Sequence, residues 1–171
     1  HAMSFALLVY ASAWVKCHHP AIFACALLNS QPMGFYAPAQ IVRDARDHRV
    51  QVRPIDANHS DWNCTLEAAP GSAEGLALRL GLRLVSGLSQ EVATNLAKER
   101  AARGAFTSIA DLARRTPIDR GALEALAGAD AFRGLGRGRR AALWDAAALS
   151  VPAPPLAAHE HPCRSRLELL C

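Results

Sequence analysis

No short motif in this sequence of 171 residues identifies a metal ribbon, a redox pair or a nucleotide-binding loop. Its five cysteines include no C-x-x-C pair, which excludes a zinc ribbon and a thioredoxin-like site. The motifs G-x-S-x-G, H-E-x-x-H and G-x-G-x-x-G are also absent, which removes three common enzyme signatures. The odd cysteine count and the lack of paired spacing predict a reduced, cytoplasmic protein.

The sequence also has no apolar run of the roughly 20 residues that a membrane-spanning helix needs, and no membrane partner is expected. Its N-terminal run, Met3–Val15, is nearly uncharged but shorter than that. A signal peptide is disfavoured because no Lys or Arg precedes the run, although Ala11–Ala13 resembles a cleavage site. A segment that is apolar on all sides predicts a helix buried inside a larger protein. With His1 in place of an initiator methionine, we expect a fragment.

Charge is unevenly distributed along the chain. Residues 76–145 hold 12 basic and 7 acidic side chains, against 5 and 6 in residues 1–75 and 2 and 2 in residues 146–171. A local basic excess attracts a polyanion such as nucleic acid. A solvated basic face would produce the same counts, so both interpretations stay open.

The hydrophobic pattern predicts a mainly α fold with a small β element. Three alternating stretches predict short strands at Val50–Ile55, Trp62–Leu66 and Leu76–Leu82, the first at a sheet edge because Pro54 cannot donate to a central ladder. The tail, residues 150–171, carries four prolines without periodicity and is expected to be disordered. Helices are predicted at Met3–Val15, Pro20–Leu28, Pro38–His48, Ser89–Arg103, Thr107 or Ser108 to Arg115, Leu123–Ala127 with Asp119 as its cap, and Arg139–Leu149.

The most informative motif is a glycine hairpin that leads directly into a predicted helix, in the manner of a helix-hairpin-helix. Glycine lets the backbone approach a phosphate closely, and the free N–H groups at the helix start bind it without reading bases. A plain helix turn with a solvated basic face is the alternative interpretation. The candidate DNA-binding residues are Ser86, Gly87, Leu88 and Ser89 in the hairpin and Lys98, Arg100 and Arg103 on the helix.

Weaker candidates surround this motif. A second, shorter unit at Asp119–Phe132, with Arg120 and Arg133, makes a tandem arrangement conceivable. The glycine-rich run Gly134–Gly138 is expected to be a flexible loop, with a phosphate cradle as the alternative. No metal site is expected from Cys17, His18, His19, Cys25, His48 and His59, because their spacing suits none. Asp44 and Asp47 are expected to form surface ion pairs with Arg43, Arg46 and Arg49.

Several stretches, taken in order, resemble the C-family bacterial DNA polymerases, the group of the polymerase III alpha subunit. They begin with His1–Pro20 and continue with ALLNSQPMGFY, IVRDARDH, VRPIDANHSDW, LRLVSGLSQEVA, FTSIADLARRT and ALEALAGADAF. The segments LLNSQPMGFY and NHSDW resemble the error-prone branch used in damage tolerance. The resemblance covers about residues 1–149 and fades in the proline-rich tail.

The resemblance implies that residues 1–70 are the end of a polymerase fingers domain and that residues 76–149 are the tandem helix-hairpin-helix region. The family's corresponding fingers helix lies near the incoming nucleotide, which implies nucleotide-facing roles for His1, Tyr10 and Lys16. Polymerisation uses two Mg²⁺ ions held by palm aspartates, and this sequence contains no D-x-D pair. We therefore expect no catalytic residue, no cofactor and no metal in this piece, which would be inactive alone.

The implied function is that of a fragment of an error-prone DNA polymerase active in replication and translesion synthesis. Its implied partners are primer-template duplex DNA, bound without sequence preference, and either the rest of the polymerase chain or replication and mutagenesis accessory proteins. Ser89 stands where the family often has a second glycine, which puts the closeness of the phosphate approach in question. The alternative is a helical protein-interaction module that does not bind DNA.

Overall fold

The computed structural model describes residues 2–32 and 36–149. Within these ranges it confirms a mainly α fold with one small sheet. His1 and the predicted disordered tail lie outside the described residues. The helices are α1 (Ala2–His18), α2 (Pro20–Asn29), α3 (Pro38–Asp47), α4 (Gln90–Arg103), α5 (Ile109–Arg115), α6 (Arg120–Gly128) and α7 (Arg139–Ala148), and the strands are β1 (Gln51–Arg53), β2 (Thr65–Ala68) and β3 (Leu76–Arg79).

The sheet has the order β1-β3-β2, with β1 parallel and β2 antiparallel to the central strand. The edge position expected for the strand before Pro54 is confirmed. The second strand begins at Thr65, three residues later than predicted, because the preceding backbone is bonded elsewhere. Cys64 N donates to Asn29 Oδ1 at 2.8 Å, and Trp62 O accepts from Arg83 N at 3.0 Å.

The third strand ends earlier than predicted for a similar reason. Leu82 N donates to Asp61 O at 2.8 Å, which turns the chain out of the sheet soon after Arg79. Gly81 lies against the backbone of residues 62–64, where an added Cβ would be 2.4 Å from Asn63 C. Only glycine fits this close approach of two backbones.

Two hydrophobic clusters form the core. The N-terminal cluster packs α2 and α3 on the sheet through Ala21, Ala24, Leu28, Ile41, Ala45, Val50, Cys64 and Leu78. The larger C-terminal cluster joins α4 to α7 and is centred on side chains such as Leu96, Phe106, Leu112, Leu123, Leu126 and Phe132. The two clusters are interleaved along the sequence. Ala57 belongs to the C-terminal cluster, whereas Leu78, which comes later in the chain, belongs to the N-terminal cluster.

Helix α1 forms as predicted but is exposed from Met3 to Trp14, and only Val15 and Lys16 near its end are half-buried. Met3 is 88% exposed, Phe5 70% and Tyr10 69%. Only the C-terminal end of the helix makes polar or ring contacts with neighbours, through Trp14 beside His19 and through Lys16. Among the described residues, none of the helices is a candidate for spanning a bilayer. The burial predicted for α1 inside a larger protein stays a prediction.

Most helix boundaries follow from local capping. Ser89 Oγ, Ser108 Oγ and Asp119 Oδ1 accept the capping bonds of α4, α5 and α6, as expected from sequence. Gly104 ends α4 with φ +78°. Helix α6 starts at Arg120, directly after its cap, and is therefore longer than the predicted Leu123–Ala127.

A loop of seven residues, Ile55–Asp61, joins the two clusters, and we call it the clasp. The Asn58 side-chain amide donates to Phe106 O at 2.9 Å, and its oxygen accepts from Phe106 N at 2.8 Å. Ala57 N donates to Ala131 O at 2.9 Å. Ser60 is fully buried and its hydroxyl donates to Leu80 O at 2.7 Å. The clasp thus bonds to β3's end on one side and to the helical bundle on the other.

We expect Asn58→Ala to lower the free energy of unfolding by about 2 kcal/mol, because it leaves both backbone groups of Phe106 without a partner. Urea unfolding followed by circular dichroism measures this loss. Asn95→Ala is the control, since the side chain of Asn95 lies on α4 and its removal is expected to change stability by less than about 0.5 kcal/mol. Equal effects of the two changes would contradict the clasp's role.

The face of the sheet opposite to Leu78 carries a largely buried ion-pair cluster. Glu67 on β2 accepts from Arg79 on β3 at 2.7 and 3.1 Å and from Arg53 on β1. The hydrogen bond from Arg79, followed by that from Arg53, lowers the pKa of Glu67 although partial burial opposes the shift. One carboxylate thus joins all three strands.

Because the folded-state pKa of Glu67 lies below its unfolded value, its contribution is complete above about pH 4.3 and is lost as the pH falls through the folded value. We expect Glu67→Gln to be less stable than the parent at neutral pH, and the difference to close in acid. Urea midpoints measured from about pH 7 to pH 3 test this. Glu124→Gln, at an exposed carboxylate on α6, should show a smaller difference.

Candidate nucleic-acid interface

The predicted hairpin lies between a 3₁₀ turn, Leu82–Leu84, and the start of α4. Val85 and Leu88 are buried in the C-terminal cluster and anchor the hairpin to the core. Ser86 and Gly87 between them are exposed. Gly87 has φ +81°, and an added Cβ there would meet no atom within 4 Å. The hairpin tip is therefore open to a ligand.

The first turn of α4 adds unsatisfied donors to this tip. Ser89 Oγ accepts from Val92 N at 3.3 Å. Among the described residues, no acceptor is recorded for the backbone N–H groups of Gly87, Ser89, Gln90 and Glu91. Such groups carry the partial positive charge of a helix start. The Glu91 carboxylate lies in the same turn and also interacts with this partial positive charge.

The predicted DNA-binding residues take different positions. Leu88 contributes its side chain to the core and its N–H to Val85 O, so it shapes the hairpin from inside. Lys98 is exposed and has no polar partner in the described part of the chain. Arg103 is exposed and lies 3.6 Å from Glu99 in an i,i+4 pair.

Arg100, one of the predicted DNA contacts, faces inward. Its guanidinium donates to Ala57 O at 2.9 Å, to Ser60 O at 2.7 Å and to Asp61 at 2.8 Å. The side chain is only 13% exposed. It lies on the same face of α4 as the buried Ala93 and Leu96, which directs it at the clasp.

A second hairpin connects α6 to α7, two helices that pack against each other. Its turn is a bonded 3₁₀ segment, Arg133–Leu135, in which Leu135 N and Arg137 N donate to Phe132 O at 2.9 and 3.3 Å. Gly136 follows with φ +73°. The predicted flexible loop is therefore an ordered turn, and the second unit extends to α7 instead of ending at Phe132.

The start of α7 repeats the pattern at α4. Gly138 is its N-cap residue and accepts from Ala142 N at 2.9 Å. In the described chain, no acceptor is recorded for the N–H groups of Gly138, Arg139, Arg140 and Ala141. Sequence reasoning ended the second unit too early, at Phe132, and so left out α7. The available signal was the run Gly134–Gly138, with its alternating glycines and two following arginines.

Most of the twelve basic residues in 76–145 are already paired inside the molecule. Arg79, for example, binds Glu67, and Arg115 binds Asp111 while lying 4.5 Å over the Phe106 ring. The backbone N–H of Thr107, followed by Arg115, lowers the pKa of Asp111. Four basic residues are exposed and have no polar partner in the described ranges: Lys98, Arg133, Arg139 and Arg140.

The structure describes two of the three predicted nucleotide-facing residues. His1 lies outside the described residues, and Tyr10 is exposed in the middle of α1. Lys16 donates to Asp44 Oδ1 at 2.8 Å. This pair corrects the expectation for Asp44, whose partners are Lys16 and His48 in place of the neighbouring arginines.

Two thiols lie near each other at the contact of α2 with the sheet. Cys25 Sγ donates to Cys64 O at 3.3 Å. Burial raises the pKa of Cys25 to about 11 and also raises that of Cys64, so both are protonated at neutral pH. In the described residues, no three Cys, His, Asp or Glu side chains are grouped to hold a metal ion.

Comparison with known proteins agrees with the two hairpins. Residues 49–142 match the family described as "Helix-hairpin-helix motif". That range is more than half of the chain and includes the clasp, α4 to α6 and the start of α7. The chain belongs to this helix-hairpin-helix family.

The relatives narrow this class to a particular kind of protein. The chain is 56% identical to the error-prone DNA polymerase of Methylococcus capsulatus over 170 residues, covering 90% of this chain and 16% of that protein. It is 58% identical to the error-prone DNA polymerase of Alkalilimnicola ehrlichii, covering 84% of this chain and 14% of that protein. The resemblance to the error-prone polymerases is confirmed. The chain spans about a sixth of the length of the relatives it matches.

We expect Arg100→Ala and Lys98→Ala to have different effects on stability, because Arg100 faces the clasp and Lys98 faces solvent. Arg100→Ala should lower the free energy of unfolding by about 2 to 3 kcal/mol, because two buried carbonyls of the clasp lose a charged donor. Lys98→Ala should change it by less than about 0.5 kcal/mol. Urea unfolding of the two variants measures both effects, and a neutral Arg100→Ala would contradict the inward placement.

Proposed function

We propose that this chain binds the sugar-phosphate backbone of duplex DNA without sequence preference, through its two hairpins. One observation carries the proposal: the exposed Gly87 tip opens directly onto unsatisfied N–H groups at the start of α4. Backbone donors and a helix dipole bind phosphate but carry no information about base sequence. Lys98 and Arg103 add positive charge farther along α4, whereas Arg100 supports the clasp.

At the level of the whole protein, we propose a part of an error-prone DNA polymerase that acts in replication and in synthesis across damaged DNA. The relatives' names and the helix-hairpin-helix match support this proposal. The two Mg²⁺ ions of polymerisation would be held by aspartates of a palm domain that this sequence does not include. A cytoplasmic location agrees with protonated, unpaired thiols at Cys25 and Cys64.

The exposed α1 supports a further part of the proposal, namely a fingers position packed against the rest of a polymerase chain or its accessory proteins. Its apolar side chains need a partner surface to leave water. Roles for His1, Tyr10 and Lys16 near the incoming nucleotide belong to the same proposal. Lys16 would then have to exchange Asp44 for a phosphate.

The same exposed helix is the specific observation that favours the second candidate, a protein-interaction module that does not bind DNA. The two candidates differ in salt dependence, because phosphate binding releases counterions and apolar association does not. Fluorescence anisotropy with a labelled duplex and with a second, unrelated duplex, across a salt series, tests them. We expect equal affinity for both sequences and a slope of roughly three or more phosphates. Absence of binding by the folded chain at low salt would favour the module.

Two glycines allow a comparison that tests the hairpin: Gly87 precedes α4 and Gly104 follows it. Gly87 and Gly104 have φ +81° and +78°, and a Cβ at either would meet no atom. Both substitutions should lower stability, and Gly104→Ala by about 1 to 3 kcal/mol because its ψ of −179° completes a backbone conformation nearly restricted to glycine. Only Gly87→Ala places a methyl group at the phosphate approach, so we expect it to weaken duplex binding about tenfold or more. Anisotropy measures both variants, and equal affinities would remove the hairpin from the interface.

A further inference from the structure

Helix α7 presents an aromatic side chain to solvent on the face opposite to the core. Trp144 is 70% exposed, whereas Ala142 and Ala146 are fully buried. At about 100° per residue, Trp144 points away from those alanines, and Arg140 lies one turn earlier on the same side. The nearest residues on this face, Ala141, Ala147 and Ala148, are small and exposed, so they leave the faces of the indole ring accessible.

The described residues near the start of α7 carry an excess of positive charge. Three of the four basic residues of 76–145 that have no polar partner within the described chain lie at the second hairpin or the start of α7, namely Arg133, Arg139 and Arg140. No carboxylate occurs in the sequence between Asp130 and Asp145. Asp145 is itself paired with Arg137 at 3.1 Å. An anionic ligand is therefore complementary to this end of α7.

We propose that this face binds single-stranded DNA, with one base stacked on Trp144 and a neighbouring phosphate held by Arg140. The inference rests on the proposed DNA-binding function and adds a second substrate form to it. Base faces are available for stacking only where the strand is unpaired, whereas a duplex offers this helix its phosphates and groove edges. Arg140 and Trp144 are one helical turn, about 6 Å, apart along the axis on the same side of α7.

A protein partner fits the same face less well. The cores of protein interfaces are depleted of charge and surround an aromatic anchor with further apolar side chains. Here the indole shares its side of α7 with Arg140 and with exposed alanines, and the nearby exposed apolar side chain of Leu143 lies about 100° around the helix. Aromatic rings set in a basic surface are the usual means of holding single strands without reading their sequence.

The test compares a labelled oligonucleotide of about 20 thymidines with a blunt duplex of the same length, using the full chain. Thymidine runs form no duplex, so they report single-strand binding alone. We expect Trp144→Ala to weaken binding of the single strand about 5- to 100-fold and Trp144→Phe to retain most of it. Both variants should bind the blunt duplex as the parent does. Trp14→Ala on α1 is the matched control for Trp144→Ala and should change neither affinity.

The outcomes separate this inference from the proposed function. Tryptophan fluorescence quenched by thymidine oligonucleotides in the parent but not in Trp144→Phe supports a stacked base. Unchanged single-strand affinity in Trp144→Ala overturns the inference even where the duplex result for Gly87→Ala holds. Equal losses for single strand and duplex in a variant with unchanged unfolding also overturn it, because the face would then be a general anion site. Single-strand binding that needs Trp144, without any duplex binding, supports the inference and rejects the duplex proposal.

Discussion

The relative placement of sheet and hairpins depends on the polar bonds of the clasp, Ile55–Asp61. This loop has no regular structure, so its buried backbone groups need partners from elsewhere. Arg100 satisfies two of its carbonyls, and Asn58 pairs with both backbone groups of Phe106 in the manner of a strand neighbour. These partners are 40 or more residues away in sequence. A hairpin that binds phosphate by backbone geometry requires such a fixed support, because a small displacement moves its N–H groups off the ligand.

The basic residues in 76–145 form three groups with different roles. Members of the first face inward: Arg79, Arg100 and Arg115 bind carboxylates or carbonyls and connect elements. Members of the second, such as Arg103 and Arg114, are exposed and paired with carboxylates. The third group, Lys98 and the three arginines near α7, is exposed and has no polar partner within the described residues. Only this third group offers a polyanion positive charge that no carboxylate of the described chain offsets. A regional charge count therefore overstates the DNA-facing charge and misplaces it toward α4.

What the sequence predicts well is local, and what it misses depends on distant contacts. The caps Ser89, Ser108 and Asp119 follow from hydrogen bonds to residues three positions away. The edge position of β1 follows from Pro54 alone. The inward direction of Arg100 and the pairing of Asp44 with Lys16 could not be predicted, because their partners are 28 or more residues away. The second hairpin was misplaced because its limits depend on how α6 and α7 pack, whereas its glycines indicated only a turn.

The two hairpins differ in what they offer a nucleic acid. The first offers unsatisfied N–H groups at an open glycine, with its free cation, Lys98, about 12 Å further along the helix. Binding there depends on geometry and short-range donors. The second has the same helix-start donors but adds three unpaired arginines and an exposed indole. Counterion release, and with it the salt dependence of binding, would therefore arise mainly at the second hairpin. In the proposed polymerase, this division suits a surface that holds the duplex at one end and an unpaired strand at the other.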